Sequence, residues 1–245
     1  MTSTREWDAA SYDALPLPHV AWGQRVLDRM GLRGDERVLD AGCGTGRDAA
    51  ALLERWPGVR MVGIDGSQQM LDQARERLGD RAALLRADLT QPLPLDEPVD
   101  AVMSVAAFHW IRDHEGLFRN LRAAMRPGAT LTTDCGGRGN VAVVNRALAQ
   151  VTGEPHDGWE FAGEDDTRAR LEATGFEVRS VVLREDPFRC EDPAVLERYL
   201  ATVVLGSKLD ALPEDDRGDF VTEVRRAMAE PVVDYVRLEI DAVSR

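Results

Sequence analysis

The chain has 245 residues, and its 30 Lys and Arg against 43 Asp and Glu give a formal net charge of −13 at pH 7. This length favours one domain with a full hydrophobic core. Nucleic acids and anionic membranes are bound through clusters of Lys and Arg, so we expect this acidic chain to bind neither of them.

The three cysteines, Cys43, Cys135 and Cys190, lack the spacing of a metal site and cannot all pair with one another. They favour the reducing environment of the cytoplasm. The N-terminus has no basic head followed by an apolar stretch, and the most apolar region, 99–111, is too short to span a bilayer. We therefore predict a cytoplasmic protein without membrane insertion and without a metal site.

Aromatic residues are concentrated in the first segment of the chain, residues 1–34. Trp7, Tyr12 and Trp22 precede or lie within a helix predicted over 20–30. These side chains can form a lid over a binding site, or they can fix a terminal arm to the core, as most terminal aromatic residues do. The sequence leaves both interpretations open.

Short apolar runs alternate with helical patterns through the predicted core, 35–184, which is typical of a parallel sheet covered on both faces. The apolar runs predict strands over 37–40, 60–64, 82–87, 101–105, 129–134 and 176–184. The patterns between them predict helices over 48–56, 68–78, 115–125 and 166–174.

The rest of the chain is predicted to be mainly helical. The segment 185–233 contains two helical patterns, over 193–205 and 213–228. The last segment, 234–245, contains an alternating pattern that predicts a final strand over 235–243. No low-complexity linker separates these segments from the core, so we predict one domain over residues 1–245.

A glycine-rich loop follows the first predicted strand. Gly42, Gly44 and Gly46 form a G-x-G-x-G pattern, which differs from the G-x-G-x-x-G of a dinucleotide-binding loop. Asp40 precedes the loop, where its carboxylate would repel a pyrophosphate and attract an ammonium or sulfonium group. The pattern favours a cationic amino-acid nucleoside as the ligand, with a nicotinamide cofactor as the alternative.

Two more carboxylates follow predicted strands. Asp65 comes directly after the second strand, and Asp88 after the third. A carboxylate at the tip of the second strand can accept hydrogen bonds from both ribose hydroxyls of a nucleoside.

Four segments together resemble successive motifs of the class I S-adenosylmethionine-dependent methyltransferases: 38–46, 63–71, 87–89 and 126–128. The resemblance implies a doubly wound, Rossmann-like α/β fold. Its seven-stranded, mostly parallel sheet has an antiparallel last strand, and an N-terminal helical lid and a helical insertion near the C-terminus cover the cofactor end.

The same resemblance implies S-adenosylmethionine as the cofactor. The glycines would line its methionine part, Asp65 would hold the ribose, and Asp88 with Leu89 would border the adenine. The full set of implied cofactor residues is Tyr12, Asp40, Gly42, Gly44, Gly46, Asp65, Gly66, Met70, Asp88, Leu89 and Val105.

The end of the fourth strand points to the acceptor. Residues 104–111 lack the Asn or Asp followed by Pro-Pro and an aromatic residue that is associated with methylation of exocyclic or amide nitrogens. The segments 108–114, 7–12 and 231–238 resemble the trans-aconitate methyltransferase group and related small-molecule methyltransferases, which implies esterification of a carboxylate. No aligned set of arginines for a tricarboxylate is evident, which argues against aconitate itself.

The candidate catalytic residues are His19, His109 and Trp110. A carboxylate acceptor is already ionised and needs no base, whereas a hydroxyl or an acidic carbon needs one, and His109 or His19 can supply it near neutral pH. Alternatively, His109 is a structural residue with a satisfied ring nitrogen that orients Trp110. We predict methyl transfer to a carboxylate or hydroxyl oxygen of a metabolite or natural product. Methylation of carbon or nitrogen, and a non-catalytic role in binding S-adenosylmethionine, stay open.

Overall fold

The computed structural model of the protein describes residues 18–154 and 158–245, so Trp7 and Tyr12 lie outside its described residues. Its α-helices are α1 His19–Arg29, α2 Arg47–Arg55, α3 Gln68–Leu78, α4 His114–Ala124, α5 Ala142–Thr152, α6 Glu164–Ala173, α7 Pro193–Tyr199, α8 Gly206–Leu209 and α9 Glu214–Ala227. Its strands are β1 Arg37–Ala41, β2 Arg60–Asp65, β3 Ala82–Arg86, β4 Val99–Val105, β5 Met125–Gly136, β6 Phe176–Glu185, β7 Phe188–Arg189, β8 Val232–Val233 and β9 Val236–Ser244.

Seven strands form one sheet in the order β3-β2-β1-β4-β5-β9-β6. The last strand, β9, runs antiparallel to both of its neighbours, β5 and β6, while the β3, β2, β1, β4 and β5 neighbours pair in parallel. The predicted fold class is therefore confirmed. The strand order reverses between β1 and β4, and ligands of open α/β sheets bind at the carboxyl ends of the strands at such a reversal.

Helices cover both faces of the sheet. Because consecutive side chains of a strand point to opposite sides, each strand contributes side chains to both faces. In β1, Val38 packs with Leu27 of α1 and Leu52 of α2. The next residue, Leu39, packs in a second cluster with Phe118 of α4. Each such side chain contributes roughly 1.5–3 kcal/mol when it is fully buried, so the two helical layers hold the strand ends in fixed positions.

Three features of the structure differ from the predicted elements. The segment predicted to be helical over 193–205 is helical, but its α-helix α7 ends at Tyr199 and passes into a π-helical turn, Leu200–Val204, that precedes α8. Helix α5 was not predicted, since it starts after Val141, a β-branched residue in left-handed conformation with φ of 49°. The short β7–β8 pair was not predicted either, because its partners are far apart in the sequence.

Trp22 of α1 is fully buried. Its indole Nε1 donates a hydrogen bond to Asp186 at 2.6 Å, and its ring packs edge-on against Tyr235 at a centroid distance of 4.9 Å. These contacts fix α1 to the core. None of the helices in the described part of the chain combines the length and apolarity needed to cross a membrane.

Candidate active site

A cavity of about 750 Å³ opens at the carboxyl ends of the central strands. All three predicted catalytic residues line it, as do these predicted cofactor residues: Gly42, Gly44, Asp65, Gly66, Met70, Asp88, Leu89 and Val105. Tyr12 lies outside the described residues, and Asp40 and Gly46 do not line the cavity. The structure therefore brings together most of the residues that the sequence singled out.

The glycines of the loop meet different needs. A Cβ on Gly42 would lie 2.4 Å from the Cβ of Ala107, so only glycine fits there. Gly44 has a φ of 52° and open space where a side chain would stand, which leaves its backbone exposed to a ligand. Gly46 instead serves packing, because a Cβ on it would lie 2.8 Å from Leu78 of α3.

The carboxylates of Asp65 and Asp88 are held by backbone amides. Asp65 accepts hydrogen bonds from the N–H groups of Gly44 at 2.9 Å and Ser67 at 2.8 Å. Asp88 accepts from the N–H of Thr90 at 2.9 Å and from its hydroxyl at 2.8 Å. Both carboxylates therefore line the cavity in fixed orientations.

Asp40 and Asp48 are two further acidic residues on this side of the cavity. Asp40 is buried behind the loop, and one of its oxygens has no hydrogen-bond partner among the described residues. Burial raises its pKa well above the usual range, and the neighbouring carboxylates of Asp48 and Asp65 raise it further. Asp48 lines the cavity, and removal from bulk water raises its pKa to about 6. The sequence analysis did not identify Asp48 as a site residue.

The hydrogen bonding of His109 defines its tautomer. Its Nδ1 accepts a hydrogen bond from the backbone N–H of Gly136 at 3.2 Å, so in the neutral ring the proton is on Nε2. Burial lowers the pKa of His109 well below its usual value, and the charges of Arg237 and His114 lower it further. His109 is therefore a neutral hydrogen-bond donor at neutral pH.

His19 is also buried and lines the cavity. Its ring packs against Trp22 at a centroid distance of 4.4 Å. Burial lowers the pKa of His19 well below its usual value, and Arg237, Arg47 and His109 lower it further. His19 is therefore also neutral near pH 7.

Arg237 of β9 is a cavity residue that the sequence analysis missed. Its side chain is 1% exposed, and its Nε donates a hydrogen bond to Oδ1 of Asp134 at 2.7 Å. Its Nη2 lies 2.6 Å from the same oxygen and donates to the backbone carbonyl of Asp134 at 3.4 Å. The guanidinium lies 3.7 Å from the ring centroid of Trp22, while its Nη1 makes no hydrogen bond to any described residue. The signal in the sequence is a polar face on a buried strand, since Arg237, Glu239 and Asp241 alternate with apolar residues.

Asn140 is a second donor that the sequence analysis missed. Its side-chain oxygen accepts a hydrogen bond from the N–H of Val236 at 2.9 Å. This contact turns the amide nitrogen of Asn140 away from Val236, and the nitrogen makes no hydrogen bond within the described ranges. The next residue, Val141, has the left-handed backbone that costs roughly 1–3 kcal/mol. Asp234 holds it there, because its carbonyl accepts from Val141 and its carboxylate accepts from Val143. This loop aims Asn140 at the cavity.

No group of three or more His, Cys, Asp and Glu side chains in residues 18–154 and 158–245 is arranged to hold a metal ion.

Comparisons with known proteins identify the family of this chain. A family model described as a methyltransferase domain matches residues 38–128. A trans-aconitate 2-methyltransferase from Paracidovorax citrulli is 36% identical over 236 residues, covering 91% of this chain and 89% of that protein. A malonyl-acyl-carrier-protein O-methyltransferase from Xylella fastidiosa is 33% identical over 154 residues, covering 60% of this chain and 52% of that protein. In other curated relatives the match spans about half of their length, 48%.

A solved structure supports the fold. The geranyl diphosphate C-methyltransferase from Streptomyces coelicolor, in complex with S-adenosylhomocysteine, superposes with a TM-score of 0.60 at 16% identity, over 92% of this chain and 79% of that one. The glycine loop and the carboxylates of Asp65 and Asp88 suit the same kind of ligand. The chain belongs to the class I S-adenosylmethionine-dependent methyltransferases, and S-adenosylmethionine is its cofactor.

Proposed function

We propose that the protein methylates a carboxylate oxygen of a small-molecule acid. The observation that carries this proposal is the buried guanidinium of Arg237, which lines the cavity and has one amino group without a hydrogen bond to a described residue. A buried arginine next to an acceptor site favours an anionic ligand, because its remaining amino group can donate a charge-assisted hydrogen bond to a carboxylate.

The charges of the cavity are separated along the sheet. Asp65 is the last residue of β2 and Asp88 follows β3, on one side of the strand reversal. On the other side, His109 follows β4, Asn140 follows β5 and Arg237 lies in β9. The acidic side complements the positive charge of the cofactor, and the side with the donors complements a negative acceptor.

The acidic side of the cavity would hold the cofactor. Gly44 offers exposed backbone, Asp65 would accept from the ribose hydroxyls, and Asp88 with Leu89 would border the adenine. When bound, S-adenosylmethionine supplies a methyl group on a positively charged sulfur: the acceptor oxygen forms the new O–C bond as the S–C bond breaks, and the electron pair of that bond goes to sulfur.

The state of His109 favours a carboxylate over a hydroxyl. With Nδ1 engaged by Gly136 and the proton on Nε2, His109 has no free lone pair to take a proton from an acceptor. It can donate a hydrogen bond to a carboxylate, which is already ionised near pH 7 and needs no base. Holding such an oxygen in line with the methyl group can supply several kcal/mol, up to roughly 7–11, of the barrier.

The relatives support an oxygen acceptor. One is named a trans-aconitate 2-methyltransferase and another an O-methyltransferase. In this proposal the whole chain acts as one methyltransferase domain on a small molecule, not on nucleic acid.

Three free cysteines, Cys43, Cys135 and Cys190, support a cytoplasmic location.

The test is to incubate the purified protein with methyl-labelled S-adenosylmethionine and a panel of carboxylic acids, each paired with its alcohol and amide. We expect label in the acids only, released as methanol by mild alkali because the product is an ester. Label that resists alkali would assign the methyl group to a hydroxyl, nitrogen or carbon. No product on any acid, with S-adenosylmethionine bound, would count against catalysis on this class.

A further inference from the structure

We propose that the acid acceptor carries a planar apolar group, an aromatic ring or a conjugated chain, that binds against three aromatic side chains of the cavity. These side chains, Trp110, Trp159 and Phe161, are called the aromatic wall below. The inference rests on the proposed function, because it assumes that a carboxylate binds at Arg237 and Asn140.

The rings of the aromatic wall contact one another and leave part of their surface in the cavity. Trp159 and Phe161 are stacked at a centroid distance of 5.2 Å with 26° between their planes, and Trp110 meets Trp159 edge-on at 5.9 Å. All three are partly exposed and line the cavity. Large apolar surface left in water is unfavourable, so a ligand that covers it binds more tightly.

The aromatic wall and the proposed carboxylate donors, Arg237 and Asn140, meet at one residue, Gly136 at the end of β5. A Cβ on Gly136 would lie 2.8 Å from the amide nitrogen of Asn140 and 2.8 Å from Cε1 of Phe161. Its N–H donates to His109, and it is the register partner of Arg237 on β9. A small acid held by these donors would therefore have its remaining atoms next to Phe161.

The aromatic wall is held in place by the backbone. The N–H of Glu160, between Trp159 and Phe161, donates to the carbonyl of His109 at 2.9 Å. The carboxylate of Glu160 pairs with Arg170 of α6 at 3.0 Å. Rings that are held in this way lose little conformational entropy when they bind a ligand.

The helical segment 185–233 adds further apolar surface. Val203 and Val204 line the cavity from the π-helical turn, a kind of turn that is frequent at functional sites. Among the described residues, two other arginines line the cavity, but Arg47 follows the glycine loop on the proposed cofactor side and Arg112 is exposed. One buried arginine next to aromatic and aliphatic surface suits an apolar acid better than a tricarboxylate.

The experiment measures binding by calorimetry to the complex with S-adenosylhomocysteine. The probes are trans-cinnamate, trans-aconitate and cinnamyl alcohol. We expect trans-cinnamate to bind about 10-fold or more tightly than trans-aconitate, because it covers aromatic surface. Trp159→Ala should weaken trans-cinnamate by about 10-fold or more and leave the affinity for S-adenosylhomocysteine within about 2-fold of the native value. Trp56→Ala is the matched control, since Trp56 is also partly exposed but lies outside the cavity.

Several outcomes would overturn the proposal. Tighter binding of trans-aconitate would show a polar acceptor, and a loss of S-adenosylhomocysteine affinity in Trp159→Ala would assign the aromatic wall to the adenine. If Trp159→Ala lowers thermal stability, Phe161→Leu serves as a smaller change in the same wall. Phe161→Leu should still weaken the binding of trans-cinnamate, and unchanged binding would contradict the proposal. Equal binding of cinnamyl alcohol and trans-cinnamate would instead refute the carboxylate of the proposed function and leave the aromatic wall supported.

Discussion

Arg237 and Gly136 face each other across the antiparallel pair of β9 and β5, and the guanidinium of Arg237 turns back along β5 to the carboxylate of Asp134. Both side chains of this ion pair are buried, at 1% and 0% exposure. Because Gly136 has no side chain, the amide of Asn140 and the ring of Phe161 can both lie close to its backbone. Arg237 therefore has two roles: it stabilises the sheet through this ion pair, and it lines the cavity.

Breaking this ion pair should destabilise the protein strongly. Arg237→Met leaves the buried Asp134 with only the more distant Arg25, 4.0 Å away, as a cationic partner. Removal of one member of a buried pair costs about 3–5 kcal/mol. The double variant Asp134→Leu with Arg237→Met should lose less than the sum of the single losses, because neither charge is left alone. Urea unfolding of the three variants measures this, and strictly additive losses would contradict the coupling.

His109→Gln should keep most of the turnover with an acid substrate. The glutamine amide can still donate a hydrogen bond, and no proton has to move when a carboxylate is methylated. Loss of a general base would cost about 100- to 10,000-fold, so we expect a decrease well below that range. Trp110→Ala should lower turnover more, since Trp110 forms part of the cavity surface.

The matching measurement is the turnover of both variants at saturating S-adenosylmethionine. A loss in the larger range for His109→Gln, with cofactor affinity intact, would show that His109 is a base and that the acceptor is not a carboxylate.

Binding of S-adenosylmethionine should weaken as the pH falls through about 6. Asp48 has a pKa of about 6 because it is withdrawn from water, with the charges of Arg47, Arg77 and Asp134 also acting on it. Above this pH the ionised carboxylate attracts the sulfonium, and below it the neutral form does not. S-adenosylhomocysteine lacks the sulfonium charge, so its affinity should change less.

Calorimetry on both sides of pH 6 tests this, with Asp48→Asn as the comparison. That variant should bind S-adenosylmethionine more weakly above pH 6 and show a smaller pH dependence. If the ratio of the two affinities stays constant with pH in the native protein, Asp48 does not act on the cofactor charge.

Asp65→Ala should weaken S-adenosylmethionine binding by about 10- to 100-fold. The lost hydrogen bonds to the ribose are charge-assisted and contribute about 1.5–3 kcal/mol. The change also removes the contacts with Gly44 and Ser67, so the loop should become less ordered. Asp72→Ala is the matched control, since Asp72 is exposed on α3 and outside the cavity; calorimetry that shows equal affinities for both variants would refute the ribose role.

The sequence by itself determined the parallel core and singled out the residues of the proposed cofactor half of the cavity. The alternation of apolar runs with helical patterns predicted β1 to β6 to within a few residues at each end. The one exception is β5, which begins at Met125 where we predicted 129. The glycine loop, Asp65 and Asp88 were found because each follows its strand directly in the chain. Local periodicity and local backbone requirements are sufficient for such features.

Only the tertiary structure decided the residues of the proposed acceptor half. Arg237 reaches Asp134 from 103 positions along the chain, and Asn140 is oriented by Val236 from 96 positions away. The neutral tautomer of His109 depends on Gly136, and no local pattern encodes that pairing. These residues meet because β9 inserts between β5 and β6. The register of β9 is set by which of its side chains are buried against the neighbouring strands, and these strands are far from β9 in the sequence, so local periodicity does not encode it.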